Sequence, residues 1–224
     1  MQLSDRTLSI LRNYSQINQS IILEDGNKIK TIANDQAIVS YAAIKEHIPG
    51  VAPIYDLHRF LSAHKMLTEP DLDFNDNNIT LTSSSGSNVL EYRLTVRDMI
   101  RPVPEEVEED DEIYAFSLTA DELKTIQNAA KTLQLPDLVI SKKDNTIVAS
   151  ITTADEESSD NFKIVLAMGQ DIADIEFDPL IISIENFRVM PLDYTVVLYE
   201  TMVKMVYNDD VGEIKYYITC KYQG

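Results

Sequence analysis

The sequence predicts an α+β protein made of two similar, strand-rich halves. Short runs of alternating apolar and polar residues recur along the chain, bounded by Gly, Asn, Asp or Pro. Amphipathic helix patterns with good N-caps interrupt them. A stiff acidic segment, 101–112, then divides the chain near its middle, and the order of elements before it resembles the order after it.

The first helix follows Ser4, a favourable N-cap. Leu3, Thr7, Ile10, Leu11, Tyr14 and Ile17 share one face, and Asp5, Ser9, Arg12 and Gln16 the other. Strands are predicted over 21–23, 28–33 and 37–44, with a turn at Asp25-Gly26-Asn27. The stretch 47–49 breaks the alternation, and 51–55 reads as a short apolar strand. Asp56 caps a second helix ending near Leu67. Its predicted core face is Leu57, Phe60, Leu61, His64 and Leu67, and its outer face is His58, Arg59, Ser62 and Lys65. Strands over 72–74, 79–82 and 89–96 complete the half, with 83–87 as a hairpin loop.

Pro102 and Pro104 stop both a helix and a central strand, and seven acidic residues crowd into 105–112. Repulsion and proline stiffness make 101–112 an extended linker between domains at 1–100 and 113–224. Beyond it, a strand over 113–118 leads to Thr119 and Glu122, spaced as a capping box. The helix that follows reaches Leu133, with Leu123, Ile126, Ala130 and Leu133 inward and Lys124, Asn128 and Lys131 outward. Strands over 136–141, 146–152 and 162–168 come next, with Asp144-Asn145 as a tight turn and 155–160 as a polar loop. An extended stretch over 172–184, a short helix over 185–189 and strands over 194–199, 202–207 and 214–222 close the chain.

Composition narrows the function. The 224 residues allow two modest domains, each with its own core. No apolar run approaches the ~20 residues of a spanning helix, and the first residues lack a signal-peptide pattern. Cys220 is the only cysteine, so no disulfide can form within the chain, and a reducing compartment is expected. The six glycines are scattered, without a phosphate-binding loop. His47, His58 and His64 lack zinc-ligand spacing with Cys220, and His64 reads as a core histidine. The acids at 105–112 lack the Gly and oxygen spacing of a calcium loop, and Asp71 and Asp73 read as solvated acids. The expectation is a non-catalytic protein without metal or cofactor.

Charge supplies the positive signal. Asp and Glu number 37 against 19 Lys and Arg, a net charge of −18. Yet Arg12, Arg59, Lys65, Lys124, Lys131 and Arg188 fall on the outer faces of predicted helices, while helix acids gather in first turns, where the dipole favours them. Basic helix faces on an acidic protein point to one surface kept for a polyanion. No aromatics interleave with these bases to stack nucleobases, so the expected contact is with phosphates and blind to sequence.

Several stretches resemble the DNA polymerase sliding clamp of large tailed bacteriophages. They are Met1-Gln2-Leu3-Ser4, Leu11-Arg12-Asn13-Tyr14, Ile17-Asn18, and Ile54-Tyr55-Asp56-Leu57 with Phe60-Leu61. In the second half they are Leu133-Gln134, Asn186-Phe187-Arg188, Met190-Pro191 and Tyr194. The resemblance implies two clamp-type domains per chain, each with two helices on antiparallel sheet, closing head to tail into a homotrimeric ring. It implies a ring that encircles duplex DNA and tethers the replicative polymerase in the cytoplasm of the infected bacterium. Arg12, Lys131 and Arg188 would face DNA by that resemblance; Arg59, Lys65 and Lys124 join them on helix geometry. Analogy pairs strand 89–96 with strand 162–168 of a neighbour, through Val89, Tyr92, Leu94, Phe162, Ile164 and Val165. Further implied partners are a C-terminal peptide of the DNA polymerase, an ATP-driven clamp loader and late-transcription factors, with the peptide groove near Val103 and Val107. The competing expectation is a structural or scaffold protein of a phage particle, in which the basic faces carry no function.

Overall fold

The computed structural model describes residues 1–154 and 160–221. It divides into two compact units. The first comprises Met1–Pro104 with Asn208–Ile214, and the second Glu105–Tyr207 with Lys215 onward. The division falls inside the predicted linker, and seven residues near the C-terminus return to the first unit. The expected polar loop at 155–160 lies almost wholly outside the described residues, as does the last residue of the strand expected over 214–222.

The first unit holds helix α1 (Asp5–Ile17), strands β1 (Ile21–Leu23), β2 (Gly26–Ile32), β3 (Ile38–Ile48) and β4 (Ala52–Ile54), and helix α2 (Leu57–Met66). Strands β5 (Asp71–Phe74), β6 (Asn78–Thr82) and β7 (Val89–Arg93) follow. All pairings are antiparallel: β1 with β4, β2 with β3, and β5-β6-β7 as a meander. Helix α1 begins where Ser4 caps it, its hydroxyl accepting from the Thr7 amide at 3.3 Å. The Glu46 carboxylate on β3 accepts from the Thr7 hydroxyl at 2.6 Å and from the Ser4 amide, tying the helix start to the sheet. Ile10, Leu11 and Tyr14 are fully buried, and the Tyr14 hydroxyl accepts from Ser40 at 2.9 Å inside the core. Arg6 clasps Asp209 at 2.7 Å and donates to the Gly212 carbonyl at 3.2 Å, which holds the returning segment.

Strand β3 runs four residues past its predicted end. The alternation continues to its end, with Ala42, Ile44 and Ile48 buried and Lys45 and His47 exposed. The register shift between Gly26 and Lys28 sets 43–48 of β3 against 26–28 of β2, so the extra residues lie on β3.

In the second unit β8 (Tyr114–Leu118) leads into helix α3 (Ala120–Leu133), with the complete Thr119–Glu122 capping box. Strands β9 (Asp137–Lys143), β10 (Thr146–Thr152), β11 (Phe162–Met168) and β12 (Leu180–Ser183) make one antiparallel sheet, ordered β11-β10-β9-β12. Asp144, at φ +52°, makes the predicted β9–β10 turn, a conformation Asp tolerates better than most residues. Strands β13 (Tyr194–Leu198) and β14 (Met202–Asn208) pair in order β8-β13-β14, with β15 (Glu213–Thr219) beside β14.

Among the described residues the second unit has one α-helix where two were expected. The stretch predicted as helix 185–189 contains only a 3-10 turn, Ile184–Asn186. Phe187 leaves helical geometry at ψ 52°, and Pro191 follows, so the segment is too short to complete a hydrogen-bonded α nucleus.

Candidate nucleic-acid interface

The helices place the six predicted DNA-facing bases as follows. Arg12 on α1 and Arg59 and Lys65 on α2 are all exposed, and the two helices pack against each other in the first unit. His64, between Arg59 and Lys65, is half-buried rather than part of the core. Its Nε2 is enclosed without a hydrogen-bond partner among the described residues. Burial and the nearby Arg12 guanidinium both hold the imidazole below its ordinary pKa, which places Arg12 beside α2. The helix interior is instead filled by Leu57, Phe60 and Ala63.

In the second unit Lys124 and Lys131 are exposed on α3. Gln127 on the same helix donates to the Val189 carbonyl at 3.1 Å, which brings the exposed Arg188 to the side of α3. Lys124 lies 3.1 Å from Asp121, a solvent-exposed pair of little strength. Among the described residues, Arg12, Arg59, Lys65 and Lys131 form no ion pair with a carboxylate. Arg6, Lys30, Lys204 and Lys221 do. Arg12, Arg59, Lys65 and Lys131 thus differ from bases whose charge is met by a carboxylate within the chain.

The six predicted subunit-contact residues do not all stand at an edge. Strand β7 ends the β5-β6-β7 sheet and β11 ends the β11-β10-β9-β12 sheet, so each has one unpaired side. Val89 is 62 % exposed on β7, and Val165 is 44 % exposed on β11. Phe162 and Ile164 are half-buried. Leu94 follows β7, its amide donating to the Asn77 carbonyl. Tyr92 is a core residue: it is buried, its ring meets Phe60 edge-on at 5.3 Å, and its hydroxyl donates to the Asp56 carbonyl at 2.8 Å. A tyrosine on an edge strand reads the same in sequence whichever face it occupies. Only the position of Phe60 on α2 decides it.

The linker carries a feature the sequence reading missed. Glu109 accepts hydrogen bonds from Tyr199 and Tyr217, each at 2.7 Å, and from Lys204 at 2.7 and 2.8 Å. Burial raises its pKa, but these bonds and the Lys204 charge outweigh it, and the carboxyl titrates at about 2. A groove of about 1060 Å³ opens in the second unit just after Glu109. Its wall is Asp110, Asp111, Glu112 and Ile113, and Phe177, Leu180 and Cys220 supply apolar lining. Glu176, Asp178 and Glu200 add negative charge, and Lys221 is its lone base. Val103 and Val107 do not line it. Both are half-buried along the linker. Burial pushes the Cys220 thiol up to about 12, so it is an unreactive lining group.

Residues 115–220 match the family described as gp45 sliding clamp, C terminal. That match spans the second half of the chain. Its relatives include the sliding clamp of Vibrio phage KVP40, 26 % identical over 202 residues that cover 89 % of this chain and 90 % of that one. The sliding clamp of Escherichia phage RB69 is 23 % identical, covering 97 % of this chain and 96 % of its own. Among solved structures, proliferating cellular nuclear antigen from Entamoeba histolytica superposes with TM-score 0.71 at 14 % identity, over 96 % and 94 % of the two chains. A. fulgidus PCNA, solved with the C-terminal region of FEN-1 bound, gives TM-score 0.72 at 13 % identity over 100 % and 98 % of the two chains. At such identity the likeness is one of fold. No helix among the described residues is long and apolar enough to cross a membrane. Nor do three His, Cys, Asp or Glu side chains among them converge as a metal site.

Proposed function

We propose that this chain is a sliding clamp that closes as a head-to-tail homotrimer around duplex DNA and tethers the replicative polymerase without catalysing a reaction. The observation that carries it is the set of exposed, carboxylate-free cations on α1, α2 and α3 of a chain with net charge −18. Sliding requires weak, sequence-blind phosphate attraction, partly through water. Lys and Arg on exposed helix faces supply that, and tight base contacts would halt it. The negative remainder discourages DNA from binding elsewhere. The two open edges, β7 in the first unit and β11 in the second, suit a joint in which one chain's β7 pairs with a neighbour's β11.

The groove beside the linker is the proposed seat of the polymerase's C-terminal peptide. Its carboxylates around Phe177 and Leu180 favour a segment with an apolar anchor and flanking bases. An ATP-driven loader and late-transcription factors complete the proposed partners, acting in the cytoplasm of the infected host.

The test is charge reversal. Lys131→Glu, and separately Arg12→Glu, are expected to shorten polymerase products on primed circular DNA while the native mass stays unchanged. Each reversal replaces an attraction with a repulsion and weakens retention on DNA by roughly tenfold at low salt. Products of undiminished length in both variants would remove these helices from the DNA surface.

A further inference from the structure

We propose that Glu109 is a positioning residue that pins the linker wall of the acidic groove and so fixes the shape in which a partner segment is received. The consequence for partners rests on the reading of that groove as the peptide seat. The pin itself does not.

Seven carboxylates follow Pro104 within the linker, and Glu109 differs from them in its surroundings. All seven, Glu109 included, are exposed along the chain. The Glu109 carboxylate nevertheless sits over Tyr199, just after β13, Lys204 on β14 and Tyr217 on β15, and both its oxygens accept from them. The two tyrosines are 4 % and 8 % exposed, and the Lys204 ammonium stands 5.7 Å above the Tyr217 ring. Two of these donors lie on strands of the packed sheet and the third directly follows one, so the carboxylate meets a rigid triangle. Charge-assisted bonds of this kind are about twice as strong as neutral ones.

Immediately after the pin the backbone becomes the groove wall. Asp110 accepts a long contact from the Thr201 hydroxyl at 3.4 Å, and the Ile113 amide donates to the Leu198 carbonyl at 2.8 Å, where β8 takes over. Between Glu109 and Ile113 the wall is therefore held at its two ends, with only a weak contact between them. Releasing the first end frees Asp110, Asp111 and Glu112 to swing away from Cys220 and Phe177 on the opposite side. Two prolines upstream keep the preceding linker extended, so slack introduced at Glu109 passes into the wall.

The native cysteine gives a probe at the site. In Glu109→Gln, which removes the charge and one acceptor but keeps the shape, Cys220 should react with iodoacetamide about tenfold faster than in the unaltered protein, as local opening exposes it. Amide hydrogen exchange should quicken over 105–113 and stay unchanged over β9 and β10. Tyr199→Phe, which removes one donor, should show the same pattern more weakly. Affinity for the C-terminal peptide of the cognate DNA polymerase, read by fluorescence anisotropy, should fall about tenfold in Glu109→Gln, equivalent to about 1.4 kcal/mol. Unchanged alkylation and exchange in both variants would overturn the pin. So would exchange that rises evenly through the second unit, since that reports general loosening. If the unaltered protein fails to bind the peptide, the partner reading falls, while alkylation and exchange still decide the pin.

Discussion

Val165→Asp tests the proposed joint most directly. Val165 sits on the open side of β11 and is 44 % exposed, with Val148 of β10 behind it. If a neighbour's β7 covers this edge, the remaining exposed part of the side chain becomes buried, which stabilises the joint by about 1 kcal/mol. An aspartate there forfeits this gain and brings a carboxylate into an apolar seam at a cost of roughly 2 kcal/mol or more. The sum, about 3 kcal/mol, weakens each joint by roughly 100-fold. A closed trimer repeats the loss at all three joints. Light scattering after size exclusion, across a dilution series, reads the outcome. The unaltered protein should run near 76 kDa, about three chains of 25.4 kDa, and Val165→Asp near one chain at the same concentrations. Val165→Thr, close in shape, should dissociate at an intermediate dilution, and circular dichroism should show both variants folded. Val51→Asp, also at an exposed valine but away from β7 and β11, is the control. A Val165→Asp protein that stays trimeric through the same dilutions as the parent would refute pairing through this edge.

Gly212 takes φ +136°, and a Cβ there would stand 2.8 Å from the Ala43 Cβ. Gly212→Ala should therefore cost about 1–3 kcal/mol, visible as a lower denaturation midpoint, and an unchanged midpoint would show that the returning segment adjusts freely. Acid should also unfold the protein in a defined window. Glu109 titrates at about 2 against an ordinary 4.5, and Glu46 and Asp209 are likewise held low by hydrogen bonds that outweigh burial. Depressed carboxylates stabilise the fold fully above their unfolded values and lose that contribution as pH falls through the folded ones. Thermal stability should hold from pH 8 to about 7, ease slightly through the histidine range, and decline most from about 4.5 toward 2. An equal melting temperature at pH 3 and pH 7 would contradict the assignment. His64 acts in the same direction at higher pH: its lowered pKa means the unfolded chain takes up the proton first, so its contribution is lost as pH falls below the ordinary histidine value of 6.5.

Local signals were the legible ones. Ser4, Asp56 and Thr119 each cap the helix they were expected to cap, because a side-chain oxygen two or three residues from an amide needs nothing beyond its own segment. The Asp144 turn followed for the same reason. The outer helix bases were readable from periodicity, since exposure of a helix face follows from burial of the other. What escaped the sequence involves partners far away along the chain. Glu109 looks like any other acid in a run of seven until strands some 90 to 108 residues later bring two tyrosines and a lysine beneath it. Tyr92 needed Phe60, and the return of 208–214 to the first unit needed Arg6 to meet Asp209. The end of β3 lies beyond the expected one because its last pairing, Gly26 with Ile48, depends on a register shift against β2 that the local pattern does not show.

Under the proposed joint, the unlike edges β7 and β11 would make each chain a two-ended monomer. One edge carries Val89, Glu91 and Arg93 outward, and the other Lys163, Val165 and Met168. Contacts between unlike ends have no intrinsic stopping point. Whether they terminate in a circle or run on as a filament depends on the rotation from one copy to the next. A substitution that leaves both edges intact but alters the bend of a chain would then convert discrete particles into open helical polymers. Electron microscopy of concentrated protein would distinguish the two at a glance, and the same geometry makes linker stiffness a determinant of particle size.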